Sequence, residues 1–185
     1  MREITIDGDK FYLTYPEETM WTESFSRHAS EVNGWADSDW TFLQKFVQTK
    51  SGQQRKARVA GIGHTGGPVK FGILSEMKRD YIGSIGWRPV LIPKTPIEDY
   101  ESSVFMGGTL YANNKPLSFI YGKPHVLSTM YPVKKSFKPE EHPITIGDTI
   151  KGKEIKWFFW QGNLICTQVL LVHITANELD KLLEI

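Results

Sequence analysis

The chain is short of everything a covalent or metal framework needs. Its single cysteine, Cys166, has no partner for an internal disulfide, and its five histidines are scattered. No H-x-x-x-H or C-x-x-C spacing occurs, so the sequence offers zinc no recognisable donor set. A surplus of either charge is also missing. The 22 lysines and arginines stand against 21 aspartates and glutamates, for a net +1. That balance argues against bulk, salt-driven binding of nucleic acid, while leaving room for a local basic patch. Long apolar runs are absent as well. The longest, 157–174, is interrupted by Gln161, Asn163, Gln168 and His173, too polar for a membrane helix. The first seven residues turn polar too early for a secretory signal. Lone-cysteine usage fits a reducing compartment. The expectation is a cytoplasmic protein with no membrane partner.

What is present supports a folded core. Of 185 residues, 40% are hydrophobic and 12% aromatic. A chain of this size buries roughly two-thirds of its unfolded surface, enough to fold without a staple. Ile4 and Ile6, then Phe11 and Leu13, alternate around Asp7-Gly8-Asp9 and predict an opening hairpin. Trp21, Phe25, Ala29 and Val32 recur at helical spacing. Asp37-Ser38-Asp39 offers an N-cap for a second helix with Trp40, Leu43, Phe46 and Val47 inward. Residues 50–58 are polar and basic, with Ser51-Gly52 as a loop, and 57–60, 69–74 and 85–92 read as strands. In the second half, strands are expected at 104–106, 109–112 and 117–121, with Asn113-Asn114 as a turn. Residues 131–143 read as a loop. A hairpin joins 154–160 to 164–174 through Gln161-Gly162-Asn163. Thr175-Ala176-Asn177-Glu178 is a capping box opening a last helix with Leu179, Leu182 and Leu183 inward. The reading is an α+β fold with mixed or antiparallel sheets, two or three helices and a β-rich second half. It divides into subdomains 1–95 and 96–185 packed as one unit.

The candidate chemistry is thin. Gly61-Ile62-Gly63-His64-Thr65-Gly66-Gly67 matches G-x-G-x-x-G after a strand. A dinucleotide site needs a helix next, and Pro68-Val69-Lys70-Phe71 is strand-like instead. A loop whose amides form an anion-binding nest, aided by Gly63, His64 and Thr65, is the alternative. Arg55, Lys56 and Arg58 lie just upstream. They are either a solvated face or, with that loop, a phosphate clamp. Cys166 and His173 suggest a thiol–imidazole dyad. On one strand, however, seven residues at about 3.3 Å each separate them by over 20 Å, on opposite faces, so the dyad is rejected. Trp157-Phe158-Phe159-Trp160 places one aromatic pair in the core. The other pair is core, subunit contact or stacking surface, which makes Trp160 and Trp87 candidate ligand residues.

The order of Ser38-Asp39-Trp40-Thr41-Phe42-Leu43, glycine-rich strands, and Gly86-Trp87-Arg88-Pro89-Val90-Leu91 resembles the C-type-lectin-like fold over residues 35–93. Within it, the formylglycine-generating-enzyme-like branch and its phage and prophage relatives are the nearest in pattern. The enzymes of that branch use a pair of reactive cysteines, and lectins use E-P-N or W-N-D calcium motifs. This chain has neither, so the resemblance implies a scaffold without that chemistry. The expected function is non-enzymatic binding of a small anionic ligand or a protein, without cofactor or metal, in a chain that self-associates. The alternatives are sequestration of a phosphate-bearing molecule such as a signalling nucleotide, and a structural virion component.

Overall fold

In the computed structural model, residues 1–20, 23–32, 34–35, 40–48, 50–62, 85–97, 103–131 and 137–185 are described, with the backbone alone at 23, 26, 40, 45–47 and 54–62. The opening alternation forms a hairpin, β1 (Arg2–Ile6) and β2 (Asp9–Thr14), in which Ile6 faces Asp9. Its two-residue turn has Asp7 at φ 50° and Gly8 at φ 88°, the positive angles that match the twist of the flanking strands. The Asp7 carboxylate accepts from Thr149 N at 2.9 Å and from Thr149 Oγ1, docking the hairpin tip on the 148–149 loop. Those bonds hold its pKa below the usual carboxylate value.

A short helix, α1 (Glu23–Ala29), follows. Residues 40–48 are not the helix expected there. They form β3 (Trp40–Gln48), paired antiparallel along its length with β4 (Gln54–Ile62). The apolar positions fit a helical period because this strand is buried on both faces at its start. Phe42 belongs to one core and its neighbour Leu43 to another. Double-sided burial erases the period of two that marks a strand. The expected Ser51-Gly52 loop joins the two strands, and the strand expected from Ala57 begins earlier, at Gln54. The expected strand at 69–74 lies outside the described residues, as do 37–39.

Two segments that read as single strands each break and change sheets. Residues 85–92 divide into β5 (Ile85–Trp87) and β6 (Val90–Pro93) at Arg88-Pro89. Further on come β7 (Val104–Met106), β8 (Thr109–Ala112), β9 (Lys115–Leu117), β10 (His125–Val126), α2 (Leu127–Met130) and β11 (Ile144–Gly147). Strand β9 stops at Leu117, four residues before the expected strand end at 121. Then β12 (Lys156–Trp160) turns at Gln161-Gly162 into β13 (Asn163–Cys166), and the chain crosses to β14 (Leu171–Val172). A six-stranded antiparallel sheet has the order β1-β2-β6-β13-β12-β7, and a mixed five-stranded sheet β10-β14-β5-β3-β4. A three-stranded sheet, β11-β8-β9, completes the frame. The fold is α+β and rich in strands, and both larger sheets draw strands from either side of residue 95.

The two crossings run side by side. Leu91 pairs with Leu164 and Val90 with Ile165, then Trp87 with Leu171 and Gly86 with Val172. Arg88 and Pro89 therefore stand opposite the five residues 166–170, a large bulge closed by Cys166 N–H to Pro89 O (2.9 Å) and Leu170 N–H to Trp87 O (2.8 Å). Bulges bend and twist a strand, and this one turns the chain from one sheet to the other. The six-stranded sheet has a core on each face. Trp157 and Phe159 enter the larger one, and Phe158 and Trp160 enter the other, with Phe25 and Trp35. The last helix, α3 (Ala176–Leu183), starts at the expected capping box. Glu178 N–H donates to Thr175 Oγ1 at 3.1 Å, and Thr175 N–H to Glu178 Oε1 at 3.0 Å. Its Leu179, Leu182 and Leu183 are buried.

Candidate ligand-binding groove

Of the site residues expected from sequence, Trp87 and Trp160 are the ones whose side chains are described, and both are buried. Gly63, His64 and Thr65 lie outside the described residues. Arg55, Lys56 and Arg58 are on β4, whose backbone register pairs them with Val47, Phe46 and Gln44. Successive strand positions alternate faces, so position 55 is on one face and positions 56 and 58 are on the other. A single clamp of all three does not suit a strand. Trp87 is fully buried, its Nε1–H donating to Thr14 O at 3.1 Å. Trp160 is buried against Phe158, stacked at 6.1 Å, and edge-on to Phe25 at 5.6 Å. Neither indole offers a face to solvent, because both lie in the cores that flank the six-stranded sheet. Cys166 is buried, and burial pushes its thiol pKa up to about 11. It is therefore a protonated core residue at neutral pH, not a thiolate nucleophile.

The bulge at 166–170 carries several buried, hydrogen-bonded polar groups. On its inner side Arg88, with no exposed surface, donates from Nη1 to Cys166 O at 2.9 Å and lies 4.6 Å from the Trp35 ring centroid. On its other side two buried residues reach outward. The Thr167 backbone N–H and Oγ1–H both donate to Lys156 O, at 3.0 and 3.1 Å. The Gln168 side chain donates from Nε2 to Ile120 O at 3.0 Å and accepts from Gly122 N–H at Oε1, also at 3.0 Å. Both ends of one buried amide thus hold a single turn, residues 120–123.

That turn is closed by Lys123 N–H donating to Ile120 O at 3.1 Å, with Gly122 at φ 71° in its third position. Glycine takes this angle without a Cβ clash. The base of the loop is fastened too, by the His125 ring donating from Nε2 to Ser118 O at 2.9 Å. The rigid turn nevertheless presents Ile120 (50% exposed) and Tyr121 (62% exposed) to solvent. Exposing a large ring on an ordered backbone gives up burial energy, so the packing of this chain does not explain it.

Beside the turn lies an open groove of about 340 Å³, lined by Phe119, Tyr121, Lys156 and Gly34. The bulge organises both walls: Gln168 holds the aromatic one, and Thr167 holds the Lys156 backbone. Gly34 (φ 89°) opposes Lys156 with no side chain, and a Cβ there would come within 2.7 Å of Lys156 Nζ. The arrangement places two aromatic rings and a lysine around this open volume. Among the described residues no group of three or more histidines, cysteines, aspartates or glutamates is placed to hold a metal ion. No helix among them is long and apolar enough to cross a membrane.

Sequence reasoning had passed over this site, yet a signal for it exists. Residues 102–139 contain no aspartate or glutamate, while Lys115, Lys123, Lys134, Lys135 and Lys138 fall within them. In a chain of balanced charge, that stretch departs from the average. Comparison with known proteins found no matching family model, no matching curated protein and no matching solved structure.

Proposed function

We propose that this chain is a non-enzymatic binding module that engages its ligand through the 120–123 turn and the adjoining groove. The observation that carries this reading is the Gln168 amide, which fixes a turn whose tip displays Ile120 and Tyr121 to solvent. A surface ordered before contact loses less conformational entropy on binding. Tyrosine contributes a large contact area with few rotamers to freeze. A thermal-shift screen over nucleotides, sugars and peptides tests the reading, because a ligand that binds the folded state raises its melting temperature. Compounds that stabilise the wild type are expected to lose that effect in Tyr121→Ala. Equal stabilisation of both proteins by every hit would place binding elsewhere.

A further inference from the structure

We infer that β7 is a self-pairing edge, through which two copies of this chain join their six-stranded sheets about a two-fold axis at Phe105. Strand β7 ends that sheet, with β12 on its inner side and no further strand beside it among the described residues. Its register sets Phe105 opposite Trp157. The flanking bonds run from Phe159 N–H to Ser103 O at 2.9 Å and from Gly107 N–H to Ile155 O at 3.0 Å. In an antiparallel ladder bonded pairs alternate with unbonded ones. The N–H and C=O groups of Val104 and Met106 therefore point away from β12. Among the described residues neither has a hydrogen bond on that outer side. Their side chains also stand in water, Val104 40% and Met106 58% exposed. Edge strands are ordinarily guarded by a charge, a proline or a bulge. Residues 102–112 contain no charged residue and no proline.

Register, charge and area name the occupant. Antiparallel pairing with a second β7, centred on Phe105, sets Val104 opposite the partner's Met106 and Met106 opposite the partner's Val104. Each pair exchanges both of its bonds, so one register satisfies every outward group of 104 and 106 on both copies. The same register lays each exposed Val104 side chain against an exposed methionine on one face. Phe105, whose ring lies 6.0 Å from that of Phe159, meets its own copy on the other face. An uncharged strand also meets itself without like-charge repulsion. Three residues cover less than the roughly 800 Å² per partner of a standard interface. The dimer is therefore transient and forms at high concentration.

The test is sedimentation equilibrium of the full chain from about 1 μM to about 1 mM, the range in which a weak dimer forms and dissociates. Wild type is compared with Val104→Lys and Val104→Pro, each checked for an unchanged melting temperature. The lysine puts a charge into the pairing face. The proline removes an outward N–H while leaving the bonds to β12 in place. Wild type should shift from monomer to dimer, and each variant should associate at least about tenfold more weakly. Hydrogen exchange supplies a second readout. The Val104 and Met106 amides should exchange more slowly at the high concentration than at the low one, while the Phe105 amide, which faces β12, should not change. A wild type that stays monomeric throughout overturns the inference. So does a dimer that both variants form as readily, or one that leaves the Val104 and Met106 amides unprotected. A synthetic peptide of residues 102–108 is titrated alongside and should compete with the dimer. Its binding to a chain that never dimerises would overturn self-pairing and give the edge to an extended segment of another protein. Tyr121→Ala should leave the dimer unchanged, so its failure would not touch the binding reading of the 120–123 turn; a dimer lost in Tyr121→Ala but kept in both Val104 variants would overturn the β7 assignment.

Discussion

Gly86-Trp87-Arg88-Pro89 and Tyr121-Gly122-Lys123-Pro124 are made of the same kinds of residue: an aromatic ring, a glycine, a cation and a proline. Both are tied to the one bulge at 166–170. Yet Trp87 and Arg88 have no exposed surface, while Tyr121 is 62% exposed. The first segment crosses between sheets with a core on either side, so its aromatic ring and charge are drawn inward. Arg88 meets the Cys166 carbonyl and the Trp35 ring there. The second is held by equally specific bonds, but at the rim. Ordering alone does not mark a binding surface. Ordering together with an aromatic ring left in water does, because only there is the fixed geometry available to a ligand.

The inner segment should be the costlier to break. Arg88→Ala removes a fully buried side chain and leaves Cys166 O without that donor. The cavity alone is expected to cost about 2–5 kcal/mol. Gly86→Ala should also destabilise strongly, because its Cβ would meet Val169 Cγ1 and lie 2.5 Å from the backbone oxygen of Leu171. Overpacking of this kind costs about 1–3 kcal/mol or more. Chemical denaturation checks both. An Arg88→Ala variant as stable as wild type would mean that the crossing is not held by this side chain.

These two segments also show where sequence reasoning succeeds and where it stops. The β1–β2 hairpin and the α3 capping box were legible because each is set by residues within a few positions of one another. The 40–48 strand was not, because Phe42 and Leu43 face separate cores, and that arrangement depends on elements distant in the chain. Residues 85–92 and 164–174 read as continuous strands since apolar content does not say which sheet a strand joins. Only the five-against-two mismatch between the crossings reveals the bulge. The groove was hidden for a related reason: Phe119, Tyr121 and Lys156 carry no motif, and Gln168 reaches its turn across 46 positions or more. The acid-free stretch at 102–139 was the one local trace.

Alkaline titration sharpens the contrast between the dry and wet sides of the bulge. Burial raises the Cys166 thiol from an ordinary 9.0 to about 11. Between those values the native state keeps a proton that the unfolded chain has released. Stability that is complete below pH 9 is therefore lost as pH rises toward 11. The slope should approach about 1.4 kcal/mol per pH unit, for a total of about 2–3 kcal/mol. Cys166→Ala should lack this component, so the difference between the two stability profiles isolates it from the lysines and tyrosines. Parallel profiles from pH 9 to 11 would show that the thiol is not sequestered.

The smallest effects are expected at the rim, and they separate support from contact. Gln168→Ala leaves Ile120 O and Gly122 N–H without their shared partner and opens a small void, so a loss of about 1–3 kcal/mol is expected. Tyr121→Ala removes a mostly exposed side chain and should change stability by less than about 0.5 kcal/mol. Their effects on hydrogen exchange should diverge in the same way. In Gln168→Ala the Gly122 amide, whose hydrogen bond is to that side chain, should exchange faster. In Tyr121→Ala it should keep its protection, since the Gln168 bond remains. If both variants lower ligand affinity, and only Gln168→Ala loosens the turn, the glutamine positions the loop and the tyrosine makes the contact. If Gln168→Ala leaves the Gly122 amide as protected as in wild type, the turn is rigid without it. The comparison between the inner and outer segments would then rest on exposure alone.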